Sequence, residues 1–175
     1  RKRLERRWSP EGDALACLSV RSGFDLALQA LGLPAGSEVL LSAVTISDMV
    51  RLLEHHQLVP LPVDVDPHTL SVSAADLERG ITPRTRAVLV AHLFGARMPM
   101  EPVLEVARSH RLLVFEDCAQ AFDHSGYRGH PDSDVSMFSF GPIKTSTALG
   151  GENSRPQARA LPTITSMAVK RCPIR

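Results

Sequence analysis

Cysteine is scarce in this chain: Cys17, Cys118 and Cys172 are scattered over 175 residues. The scatter excludes a disulfide framework and a cysteine metal knuckle, and implies a reducing compartment, read here as cytoplasmic. No apolar run approaches the length of a membrane span. An excess of one charge is also missing. Lysine and arginine number 20 against 19 aspartates and glutamates, a net charge of +1, so neither nucleic acid nor a membrane is implied as a global partner. No internal repeat and no low-complexity tract is present. Lysine itself is rare, with Lys144 alone between Lys2 and Lys170. The chain starts with Arg1 rather than methionine, so a processed protein or a fragment is expected.

What is present reads as an ordinary globule with enough apolar residues, 43%, for a sizeable core. The basic stretch 1–8, RKRLERRW, reads as a solvated helix or tail rather than an anion-binding arm. Beyond it, strands and helices alternate. A helix is predicted from Phe24 to Leu33, with Leu26, Ala27, Ala30 and Leu31 on one face and Ser22 or Gly23 at its start. A short strand follows at Glu38–Leu41, then a helix at 46–55 and a strand at 58–63. Ser73 caps a short helix to Arg79. A strand from Ala87 to Ala91 ends in His92, and a helix runs from Pro99 to His110. Such alternation predicts an α/β fold with a mainly parallel sheet. Asp64 and Asp66 mimic a metal loop, but no further ligands follow at useful spacing, so no metal is expected.

Two later stretches carry chemistry. Leu112–Phe115 is a continuous apolar run, as in a strand covered on both faces, and it ends in Glu116-Asp117. Acids at the carboxyl end of a parallel strand lie where open α/β sheets bind ligands. Pyridoxal phosphate (PLP) needs one carboxylate there to keep its ring nitrogen protonated. A helix cap is the competing reading for one of the two acids. The second stretch, DVSMFSFGPIKTSTALGG, opens as a strand at Val135 and is stopped by Gly141-Pro142. Lys144 follows among hydroxyls and glycines. A partly desolvated lysine loses its proton more readily, which suits it to attack an aldehyde.

The order EDCAQAF, then SFGPIKTSTALGG, resembles the DegT/DnrJ/EryC1/StrS family of PLP-dependent sugar aminotransferases. The family pattern is an acid-Asp-x-Ala-Gln strand end, a Ser-Phe-x-x-x-Lys segment and a glycine pair. Asp117, Gln120, Ser139, Lys144 and Gly150-Gly151 stand in those places. The resemblance runs from about Ala14 to Gly151. It implies part of the large domain of a fold type I transferase, a three-layer α/β/α sheet. It assigns Lys144 as the lysine that carries PLP and then acts as general base and acid. Asp117 falls to the ring nitrogen, Gln120 to the phenolic oxygen, and Ser139 with the Ser22-Gly23 turn to the phosphate. Phe24 replaces a usual threonine in that turn, and Ile46 replaces a usual aromatic that stacks on the ring. His92 and Gly95 match a His-x-x-Gly near the cofactor. The implied substrates are an amino-acid donor, glutamate or glutamine, and a nucleotide-linked keto-sugar acceptor, with a homodimer as the working unit. Lys144 argues against the branch of dehydratases that carry histidine there.

The segment 152–175 fits no helical or strand period and no family pattern, and is expected to be irregular. The chain thus divides into a basic segment, 1–13, a partial transferase domain, 14–151, and this tail. Two alternatives remain open: a non-catalytic remnant of such an enzyme, or another PLP reaction such as elimination or racemisation.

Overall fold

The computed structural model describes residues 2–9, 11–121 and 126–140. Five short apolar runs form strands: β1 (Glu38–Ser42), β2 (Val59–Val63), β3 (Thr85–Ala91), β4 (Leu113–Asp117) and β5 (Val135–Met137). All neighbouring pairs are parallel, and their order is β2-β1-β3-β4-β5. The helices are α1 (Lys2–Trp8), α2 (Val20–Leu31), α3 (Ser47–His55), α4 (Ala74–Gly80) and α5 (Glu101–Ser109).

Side chains alternate along each strand, so one sheet builds two cores. Val39, Leu41, Ala87, Leu89 and Phe115 pack with Phe24 and Leu28 of α2 and Met49 and Leu53 of α3. Leu40, Val88, Val90 and Val114 pack with Leu77 of α4 and Val103, Leu104 and Ala107 of α5. Both faces are covered, which is why the strands read as continuous apolar runs. The three-layer α/β/α expectation holds.

Sequence explains the edge as well. β2 reads Val-Pro-Leu-Pro-Val and pairs only with β1. Val59 N–H donates to Ser37 O at 2.9 Å. By alternation, positions 60 and 62 turn away from β1, where a proline loses no ladder bond.

Several boundaries differ from the sequence reading by a few residues, three of them notably. α2 starts at Val20, because Ser19 caps it and accepts from Ser22 N–H. α5 starts at Glu101 with Pro102 in its first turn, not at Pro99. β5 ends at Met137, short of Phe140. The short helix after Ser73 is as expected, with Ser73 Oγ accepting from Asp76 N–H at 3.0 Å.

The strand order reverses between β1 and β3. Their ladder runs from Glu38 to Leu41, and Ala91 N–H then donates to Ser42 Oγ at 3.1 Å. Such a reversal opens a crevice at the carboxyl ends of the strands, the place where doubly wound sheets take ligands.

Candidate functional site

Three of the residues singled out in the sequence lie at or just past the carboxyl ends of β4 and β5. Asp117 is the last residue of β4, in register with Ala91 of β3 and Met137 of β5. Its Oδ1 accepts from Ala119 N–H at 2.9 Å, a tight turn that fixes the carboxylate. Gln120 follows three residues later, and its Oε1 accepts from Phe94 N–H at 3.0 Å. That bond ties the loop after β4 to the loop after β3, and makes the amide nitrogen the side chain's donor end. Ser139 lies just past β5, half-buried. Its neighbours Phe138 and Phe140 pack edge-on against Trp8, with ring centroids 5.1 and 5.3 Å apart. Ile46 precedes α3 on the β1 side of the crevice and is 53% exposed. Lys144 and Gly150-Gly151 lie outside the described residues.

Other expectations need correction. Gly23 does not open a helix; it sits inside α2, and its N–H is spent on Ser19 O at 3.2 Å. The Ser22 N–H is likewise taken by Ser19 Oγ at 3.1 Å, and Ser22 Oγ lies 2.9 Å from the same oxygen. The free backbone donors expected at Gly23 are therefore used within the helix. Phe24 is fully buried and packs edge-on against Phe115 at 5.4 Å, so it is a core residue. His92 is turned inward as well. It is 1% exposed. Its Nδ1 accepts from Met98 N–H at 3.1 Å, which puts the proton of the neutral ring on Nε2. That nitrogen donates to Glu116 Oε1 at 2.8 Å.

Glu116 is the centre of a buried knot. Besides His92, it accepts from the Tyr127 hydroxyl, from His130 N–H at 2.8 Å and from Ser136 Oγ at 3.1 Å. Burial pushes its carboxyl upward, but the bonds from His92, Tyr127 and His130 outweigh burial and bring it down to about 2. Tyr127 is pushed upward by burial and then by its bond to the same carboxylate. The knot binds β3, β4, β5 and the 126–130 loop into one unit behind the crevice. The Arg97 guanidinium lies over the Tyr127 ring, 4.8 Å from its centroid.

A pH dependence follows from this knot. A depressed carboxyl contributes stability above its unfolded value, ordinarily 4.5, and loses it as pH falls toward about 2. That difference corresponds to about 3 kcal/mol. Acid unfolding should therefore steepen between these values, and Glu116→Gln should flatten the curve in that window while lowering stability at neutral pH. Chemical denaturation followed by circular dichroism at stepped pH measures both.

The same carboxylate sits among metal-type ligands: donor atoms of His92, Glu116 and Cys118 lie within 4.8 Å of one another. Glu116 already accepts four hydrogen bonds, and both nitrogens of His92 are engaged. The Cys118 thiol is held protonated, first by burial and then by the Glu116 charge. A cation entering here would have to break the knot.

Gly129 shows how tightly the loop is drawn in. Its φ is +89°, and a Cβ there would lie 2.0 Å from Ser136 Oγ and 3.2 Å from Glu116 Oε2. Gly129→Ala combines a left-handed backbone with overpacking. It should cost about 2–4 kcal/mol, read as a lower urea midpoint with little change in slope.

The sequence reading missed this knot, although a signal was available. Adjacent strand residues face opposite ways, so Glu116 and Asp117 cannot serve one site. Asp117 shares the parity of Phe115 and the α2 face; Glu116 shares that of Val114 and the other face.

Comparison with known proteins adds a consistent result. The family model "DegT/DnrJ/EryC1/StrS aminotransferase family" matches residues 6–152. GDP-perosamine synthase of Caulobacter vibrioides is 41% identical over 130 residues, which cover 73% of this chain and 35% of that protein. GDP-perosamine synthase of Escherichia coli O157:H7 is 35% identical over 156 residues, covering 86% of this chain and 43% of that one. Among solved structures, S. venezuelae DesV in complex with a ketimine intermediate superposes with a TM-score of 0.76 at 28% identity, over 95% of this chain and 43% of DesV. The chain thus spans less than half the length of these relatives.

Proposed function

Because this chain belongs to the DegT/DnrJ/EryC1/StrS aminotransferase family, we propose that it is the cofactor-bearing part of a PLP-dependent aminotransferase that moves an amino group from glutamate or glutamine to a nucleotide-linked keto-sugar. The observation that carries this reading is the carboxyl edge of β4. There a fixed carboxylate, Asp117, stands on the α2 face beside the crevice, and Gln120 bridges the loops after β3 and β4.

These residues fit the cofactor. Asp117 supplies a negative charge where a ring nitrogen must stay protonated. Gln120 offers an amide donor for the phenolic oxygen, with its own carbonyl already anchored. Ser139 offers a hydroxyl for the phosphate and is placed by two aromatic neighbours. Gly23 drops out of that role, and the Ser22 hydroxyl is the remaining candidate on α2. Bound PLP supplies an electron sink for the pair released when the donor's Cα–H bond breaks. The Lys144 Nζ takes up that proton and returns it, acting as base and then acid. Working at neutral pH requires a lysine whose proton is easily lost, as in a partly desolvated site.

The names of the relatives support the acceptor class: both perosamine synthases carry GDP in their names. A homodimer and a cytoplasmic location are proposed with the rest. Among the described residues no helix is long and apolar enough to cross a membrane. A non-catalytic remnant of such an enzyme is the second reading. Mixing the protein with PLP and recording its absorbance, then adding glutamate, separates the two. A cofactor band that changes on adding glutamate supports the aminotransferase. A band that ignores glutamate supports the remnant, and no band at all refutes the cofactor assignment.

A further inference from the structure

The turn after β3 holds a phenylalanine where a short polar residue would be cheaper. Ala96 N–H donates to Leu93 O at 2.9 Å, and the two residues enclosed, Phe94 and Gly95, have φ of 54° and 84°. Positive φ at both central positions favours Asn-Gly or Gly-Gly. A bulky side chain in that region is a backbone outlier. Phe94 recovers little by burial, since it is 74% exposed. An exposed ring on a strained turn asks for a reason outside folding.

The position supplies one. The turn stands at the carboxyl end of β3, on one flank of the crevice between β1 and β3. The Phe94 N–H is held by Gln120 Oε1 at 3.0 Å, and β3 ends with Ala91 in register with Asp117. The ring is thus rooted beside the two side chains assigned to the cofactor ring. Across the crevice, Ile46 is also exposed, and it is aliphatic.

We propose that Phe94 is an aromatic contact for the planar ring of bound PLP, a ring contact that Ile46 cannot provide by stacking. This rests on the cofactor reading above. Aromatic pairs favour offset or edge-on contacts and add to simple area burial. The bond to Gln120 runs through the backbone, so side-chain variants at 94 leave it intact and isolate the ring.

The test is spectroscopic titration of the chain with PLP, paired with thermal melting. Phe94→Leu should weaken PLP binding about tenfold, and Phe94→Tyr should bind as wild type. Phe94→Gly should weaken binding as Leu does, yet melt no lower than wild type, because glycine relieves the turn. If Phe94→Leu titrates within about twofold of wild type, the inference is overturned while the cofactor reading stands. If Phe94→Gly melts well below wild type, the ring serves the fold and the inference is also overturned. If wild-type protein takes up no PLP, the cofactor reading itself is overturned, and this inference with it.

Discussion

Lys144→Ala is expected to abolish covalent uptake of PLP. Wild-type protein incubated with PLP and reduced with borohydride should yield one modified peptide, the one containing Lys144. The variant should yield none. The expectation rests on chemistry before resemblance. An amine attacks an aldehyde only after losing its proton, and a lysine in water at neutral pH almost always keeps it. Lys144 lies seven positions beyond Met137, the end of β5, close in sequence to Ser139 and among small residues. Lys2 and Lys170 lie far from it in sequence. Label recovered on either of those would remove Lys144 from the site. Loss of the amine should also remove the proton carrier, so amine transfer should fall to background.

Asp117→Ala is expected to keep that covalent adduct and lose the transfer of the amine by several orders of magnitude. The proposed role of the carboxylate is electrostatic: it would hold a proton on the ring nitrogen so that the ring accepts electrons. Asp117→Asn is the sharper variant. Its side-chain carbonyl can still accept from Ala119 N–H, so the turn observed at 2.9 Å survives while the charge is gone. Both variants should be similarly slow in the half-reaction with glutamate, followed by cofactor absorbance. A rate within about tenfold of wild type, or ~1.4 kcal/mol, would assign the work to another group. A slow Ala variant beside an active Asn variant would make Asp117 a turn former only.

The sheet was legible because its inner strands are short apolar runs buried on both faces, and burial of that kind overrides weaker local signals. The cap at Ser73 was legible for a local reason, since side chain and acceptor lie within one turn. The start of α2 was not. Its helical period begins on Val20-Arg21, residues that read as the end of an apolar run and a break, and Ser19 competes with Ser22 as a cap of equal quality. The placement of Asp117 and Gln120 at and just past the carboxyl end of β4 was legible from their order along the chain. His92 was placed near the cofactor by the family pattern it shares with Gly95, while a histidine at a strand end more often serves as a structural hydrogen-bonder. The structure turns it to Glu116, a partner 24 residues away, and no local rule selects a partner across two strands. Tyr127 and Gly129 went unread for the same reason: their roles exist only once the loop folds back over β4.

Trp8 links the beginning of the described chain to its end. It packs on Phe138 and Phe140, and Arg128 lies over its ring at 4.1 Å. During synthesis, Trp8 leaves the ribosome long before these partners do, by on the order of ten seconds at ordinary translation speeds. α1 is too short to hold itself in water over that interval. Its docking must therefore be among the last events of assembly, after the central strands have paired. The indole, the only tryptophan in the chain, is then a built-in clock. Its emission should stay that of a solvated ring through sheet formation and change only when the segment bearing Ser139 is drawn into place.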